Sequence, residues 1–134
     1  NLKMQMNSIG IELCNFGYLT KKNGKYYTYT NTEVNKSDVV DLGYKFRGYE
    51  YWHSYSDLQI ESLRLLLIYL IDQFNLPRTG ILEWINSTNP QSAFDFNKNS
   101  LSGNVYGILS HSNVRKDKTD VYPHPKLIEM LQSI

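Results

Sequence analysis

The sequence predicts a single α/β domain, a mixed central β-sheet flanked by helices, and three stretches carry that reading. Residues 7–15 alternate apolar with small or polar positions, the stretch from Ser56 to Phe74 repeats apolar residues at helical spacing, and residues 105–111 return to strand character. Strand, helix and strand in this order suggest helices layered on a sheet. A chain of 134 residues is one domain by length, and a 41% hydrophobic content is enough for a packed core.

From Asn7 to Asn15 (NSIGIELCN), Ile9, Ile11 and Leu13 share one face, while Ser8, Gly10, Glu12 and Cys14 share the other. The expectation is a strand with one apolar face and one small face that carries a single carboxylate. Gly17 and Lys21–Gly24 mark turns, and Lys25 to Thr30 (KYYTYT) reads as a second strand or hairpin arm. Val34 to Tyr55 reads as an aromatic loop punctuated by Gly43 and Gly48. Ser56 and Gln59 stand at capping-box spacing, and Asn75 and Pro77 stop the helix that follows. Leu63, Leu66, Leu67, Leu70, Ile71 and Phe74 keep helical spacing, while Leu65 and Ile68 widen the stripe. Such a helix is expected to be buried on most sides, against the sheet. Arg78 to Gly103 reads as an extended polar loop with short structure in it, and Val105 to His111 (VYGILSH) as a strand. Pro123 to Ile134 closes the chain as a short helix, with Pro125 in its first turn.

Composition excludes some functions. Fourteen Lys and Arg against thirteen Asp and Glu give no broad field for nucleic acid or a membrane surface. The apolar run Leu65–Leu70 is too short to span a bilayer and is flanked by Arg64 and Asp72. A lone cysteine, Cys14, excludes an internal disulfide framework and is expected to be a buried free thiol.

Candidate chemistry begins at His111, followed after a basic loop by Lys118, Thr119 and Asp120. Imidazole and carboxylate are both zinc ligands, and a loop of this length can fold both onto one ion. The alternative is a loop ion pair between Asp120 and Arg115 or Lys118. Glu12 either faces solvent from an edge strand or stands in a cleft as a working acid or base, with Ser8 and Gly10 leaving room beside it. His53, among Tyr49, Tyr51, Trp52 and Tyr55, reads as a surface or groove residue. His124, between two prolines and next to Lys118-Thr119-Asp120, is within reach of the metal loop, but its commoner role is to cap the last helix.

Taken together, these segments resemble one family. Ser8-Ile9-Gly10-Ile11-Glu12-Leu13 with Asn15 and Gly17, then Arg47-Gly48, the Gln59 helix, Gly107-Ile108-Leu109-Ser110-His111 and Lys118-Thr119-Asp120 follow the order of the type 2 N-acetylmuramoyl-L-alanine amidases. That family shares its fold with peptidoglycan recognition proteins and phage T7 lysozyme. The resemblance covers nearly the whole chain. It implies that fold, Zn²⁺ as cofactor, and a hydrolase at the cell wall that cuts the amide between N-acetylmuramic acid and L-alanine, as in endolysins and autolysins. Peptidoglycan or a muropeptide would be the partner. It further implies His111 and Asp120 as metal ligands, Glu12 as general base and Lys118 as the group that stabilises the oxyanion.

The chain departs from the pattern twice. After Asp120 it reads Val121-Tyr122-Pro123-His124-Pro125 where the family has Pro-Gly-Pro. The family's first zinc ligand, a histidine on a strand upstream of the SIGIEL segment, has no counterpart before Asn7. The expectation is therefore the C-terminal part of an amidase domain over residues 1–134, with that strand and ligand outside the chain. Two rival readings carry no catalysis: a peptidoglycan-binding module of the same fold, or a structural component of a phage or secretion machine. The joint presence of Glu12, His111, Lys118 and Asp120 favours the enzyme, because a binder needs none of their chemistry.

Overall fold

Aromatic and β-branched residues crowd the stretch from Tyr18 to His53, and there the backbone forms its sheet. The structure is a computed structural model that describes Met4 and residues 6–134. Its strands are β1 (Tyr18–Lys22), β2 (Lys25–Tyr27), β3 (Glu33–Val34), β4 (Val39–Phe46) and β5 (Tyr49–His53). They lie in the order β3-β2-β1-β5-β4, and every pairing is antiparallel. The α/β class stands, but the mixed sheet does not. Parallel neighbours need a crossover of about a dozen residues or more, and these strands follow one another through turns and short loops.

The stretch read as an aromatic loop, Val34–Tyr55, holds the longest strand and its partner. In β4, Leu42, Tyr44 and Phe46 turn inward while Asp41, Gly43 and Lys45 stay exposed. The register shifts between Asp41 and Phe46, around Gly43 at φ 75°, where Asp41 Oδ1 accepts the Gly43 N–H at 2.9 Å. Arg47 and Gly48 turn the β4–β5 hairpin with φ of 51° and 86°, the positive pair that a type I′ turn requires.

Two expected strands are absent. Residues 8–17 run without regular structure, with Ile9 and Ile11 exposed, and Val105–His111 contributes only an isolated bridge between Ile108 and Gly80. Alternation is not sufficient for a strand, which also needs a ladder partner. Both neighbours of β1 are already taken, and the 13–17 stretch is anchored by side chains of Asn15 and Gln59 and a single backbone bond from the His53 N–H to the Gly17 carbonyl.

Helix α1 (Asp57–Phe74) starts in the full capping box of Ser56 and Gln59 and ends at Asn75 in the left-handed conformation. It is not buried on most sides. Ile60, Leu67 and Ile71 enter the core, while Leu58, Leu65 and Tyr69 on the opposite face are exposed. Short helices follow: α2 (Ile81–Trp84), α3 (Lys98–Leu101) and α4 (His111–Val114), with 3-10 turns at Lys36–Asp38 and Pro90–Phe94. Helix α5 (Pro125–Ser133) buries Leu127, Met130 and Leu131 and packs beside α1. No helix among the described residues is long and apolar enough to cross a membrane.

The main core joins the inner end of the sheet to α1, α2, the Pro90–Phe94 turn and α5. At its centre Tyr122 stacks on Trp52 at 4.7 Å and on Tyr55 at 5.2 Å between ring centroids. Such ring pairs contribute ~0.5–1.5 kcal/mol each beyond the area they bury. Leu19, Tyr26 and Val34 form a second, smaller cluster on the β1–β3 arm.

Candidate functional site

Helix α4 is only one turn long, so its position depends on side chains. Ser110 caps it: the Ser110 N–H donates to Asn113 Oδ1 at 2.8 Å, and the Asn113 N–H donates to Ser110 Oγ at 3.3 Å. Fully buried Asn113 then donates through Nδ2 to the carbonyls of Ala93 and Asp95, both at 2.8 Å. From the hairpin turn, Arg47 donates to the carbonyls of Ser112, at 2.8 Å, and Lys116. The Ser112 carbonyl and the Asn113 amide are thereby held between the hairpin turn and the Pro90–Phe94 turn.

His111 is the first residue of α4, and its ring is turned outward. The Ser112 N–H donates to the Asp120 carbonyl at 2.9 Å, which returns the loop to the helix. His111 Nδ1 then stands 3.1 Å from Asp120 Oδ2, with both side chains substantially exposed. The two residues singled out as metal ligands are in direct contact. The rival ion pair is made elsewhere: Arg115 binds Asp117 through two bonds, of 2.6 and 2.9 Å. Those bonds hold the Asp117 carboxyl below its usual range. Lys118 is half-buried in the same loop.

Glu12 is exposed on the irregular segment, not on a strand, and no hydrogen bond or ion pair joins it to His111, Lys118 or Asp120. The residues just after it are held firmly. Leu13 packs against the core, Gln59 Nε2 donates to the Cys14 carbonyl at 2.7 Å, and Asn15 Nδ2 donates to the His53 carbonyl at 2.9 Å. The Tyr122 hydroxyl donates to that same carbonyl at 2.6 Å. The Glu12 segment and the Asp120 loop are therefore tied to one oxygen at the end of β5, three residues from Glu12 and two from Asp120. Cys14 is exposed, contrary to the buried thiol expected; its neighbour Leu13 takes the inward position.

The other histidines have structural partners. His124 is buried and caps α5, its Nδ1 accepting the Lys126 N–H at 3.0 Å. Nε2 of the neutral ring must then carry the proton towards Ser54 Oγ at 3.2 Å, which excludes His124 as a base for Ser54. Burial, then the Lys126 charge, push its pKa down to about 4 against the pull of Asp57. His53 Nδ1 faces the Phe16 N–H at 3.4 Å, and burial lowers its pKa against the pull of Asp38. Tyr55 and Tyr122 are pushed above the usual phenol range, chiefly by burial; the charge of Asp120 adds to the effect at Tyr55. Both therefore remain hydrogen-bond donors at neutral pH.

His111 and Asp120 fit Zn²⁺ in donor type and in mutual reach. Among the described residues no group of three or more His, Cys, Asp or Glu gathers around a common point. Asn113, Tyr55 and Tyr122, which orient or border the pair, carried no sequence signal apart from their neighbourhood to the motifs. Arg47 had one, in the Arg47-Gly48 dipeptide. No family model matches the chain, nor does any curated protein or solved structure.

Proposed function

We propose that the protein is a zinc-dependent amidase that hydrolyses the bond between N-acetylmuramic acid and L-alanine in peptidoglycan. The observation that carries this reading is the 3.1 Å contact between His111 Nδ1 and Asp120 Oδ2 on a helix turn fixed from both sides. The shared anchor at the His53 carbonyl supports it by bringing the Glu12 segment and the Asp120 loop to one end of the sheet.

His111 and Asp120 would hold the ion together with a third ligand, and Zn²⁺ would supply a water of pKa about 7 and polarise the scissile carbonyl. Glu12 accepts the proton of the attacking water and delivers it to the leaving nitrogen. Lys118 balances charge that develops on the carbonyl oxygen. Arg47 and Asn113 contribute indirectly, by keeping α4 still.

The test measures zinc content and release of the peptide from a muropeptide. The expected result is about one zinc per molecule, activity lost to a chelator and restored by zinc, and loss of both metal and activity in His111→Ala and Asp120→Ala. Glu12→Gln should keep the metal and lower turnover by about 10²–10⁴-fold. Full zinc occupancy in both ligand variants, or unchanged turnover in Glu12→Gln, would end this assignment. The two-membered donor set among the described residues favours a second reading, a peptidoglycan-binding module. Retention on insoluble peptidoglycan with no cleavage at any zinc concentration would establish that one instead.

A further inference from the structure

Two open cavities of about 580 and 250 Å³ share Trp84 and Asn97 in their walls, and neither His111 nor Asp120 lines them. The larger falls within the ~300–1,000 Å³ typical of small-molecule sites. Its rim is tied down. The Ile81 N–H donates to the Ile108 carbonyl at 2.8 Å, and Thr79 Oγ1 donates to the Tyr106 carbonyl. The Asn97 N–H donates to the Asn113 carbonyl at 2.8 Å, which fixes the floor to the helix that carries His111.

The lining points to one ligand chemistry. Trp84, half-buried against the core, and the largely exposed Tyr106 line it with aromatic rings, while Asn97, Asn99 and Asn104 add amides. Asn97 Oδ1 accepts the Ser100 N–H at 3.0 Å, and its Nδ2 has no protein acceptor among the described residues. No Lys or Arg lines either cavity, and Glu83 and Asp95 are the charged groups present. Lys116 Nζ stands 4.9 Å from the Phe96 ring centroid at the smaller cavity, but in the larger one phosphates and peptide carboxylates would meet no lining countercharge, only Glu83. A neutral ligand rich in hydroxyls and amides, with apolar C–H faces to lie on aromatic rings, matches every group.

We infer that this groove binds a neutral saccharide, a stretch of N-acetylated glycan chain, through ring stacking on Trp84 and Tyr106 and hydrogen bonds to Asn97, Asn99 and Asn104. The N-acetylated identity of the sugar rests on the amidase reading; the preference for a neutral saccharide does not. The Asn97–Asn113 bond gives groove and His111 a common support, so one molecule can hold the glycan strand while the peptide bond lies at the metal pair.

The test is an NMR titration of the whole protein with the N-acetylglucosamine tetramer. Saturable shifts are expected at the Trp84 indole N–H, the Asn97, Asn99 and Asn104 side-chain amides and Tyr106. Tyr106→Ala should weaken binding roughly three- to ten-fold with unchanged thermal stability, and Tyr106→Phe should retain most of it. Asn104→Ala gives a second reading in a variant that leaves the core untouched. Absence of shifts at these residues, unchanged affinity in both alanine variants, or the same shifts produced by a stem peptide alone would overturn the proposal. Hydrolysis is scored separately. Tetramer binding in the groove without muropeptide cleavage would sink only the amidase reading. Cleavage without groove shifts would sink only this one.

Discussion

The His124 ring sits where a proton is unwelcome, because Nδ1 already accepts the Lys126 N–H and the ring is buried. Its folded pKa is about 4, below the ordinary 6.5. Above pH ~6.5 neither the folded nor the unfolded state holds the proton, so its contribution to stability is complete. As pH falls from there towards 4, the unfolded chain takes up a proton that the folded chain refuses, and stability drops by up to ~1.4 kcal/mol per unit. Below about 4 both states are protonated and the loss levels off, at no more than ~3.5 kcal/mol in total. Denaturant unfolding across this window should show that slope, and His124→Asn, which keeps a capping acceptor without a titratable ring, should flatten it. An equal slope in both proteins would contradict this account. The capping role is legible in the sequence, since His124 stands directly before Pro125 at the helix start. The roles of Asn113 and Tyr122 are not, because their partners are backbone carbonyls from distant segments.

Elements with local signals were the readable ones. The capping box at Ser56 and the stop at Asn75 depend only on nearby residues, and α1 and α5 form close to where they were expected. Strands depend on partners that the local pattern does not contain. The alternation of Ile9, Ile11 and Leu13 lacks a ladder neighbour and yields an irregular run in which Ile9 and Ile11 are exposed and Leu13 packs inward. The equally regular alternation of Leu42, Tyr44 and Phe46, obscured by two glycines and several tyrosines, became the longest strand. The pairing of 79–81 with 106–108 is a further case, made possible by close backbone approach. A Cβ on Gly107 would lie 2.6 Å from the Thr79 carbonyl oxygen, and its φ of 130° is open mainly to glycine. Gly107→Ala should therefore destabilise the fold by about 1–3 kcal/mol and part this strap. Thermal unfolding would reveal the loss; an unchanged midpoint would mean that the strap is not under this constraint.

For the molecule as a whole, the sequence conveyed the class and the two motif residues that meet, but not the order of the strands. Spacing puts His111 and Asp120 nine positions apart in one loop, so their contact needs no long-range knowledge. The relation of Glu12 to them passes through Asn15, the end of β5 and Tyr122, three segments that no single stretch of sequence reports together. The His53 carbonyl is where they meet. Mechanically it is a shared anchor: a segment from each end of the chain bears on one oxygen, and each has a second tie of its own, through Gln59 to the Cys14 carbonyl and through the Ser112 N–H to the Asp120 carbonyl. Tyr122→Phe removes one arm without disturbing the stacked ring. Amide exchange near residues 120–122 should then quicken while the Asn15 arm stays protected, and the two arms, coupled in the native protein, should exchange independently.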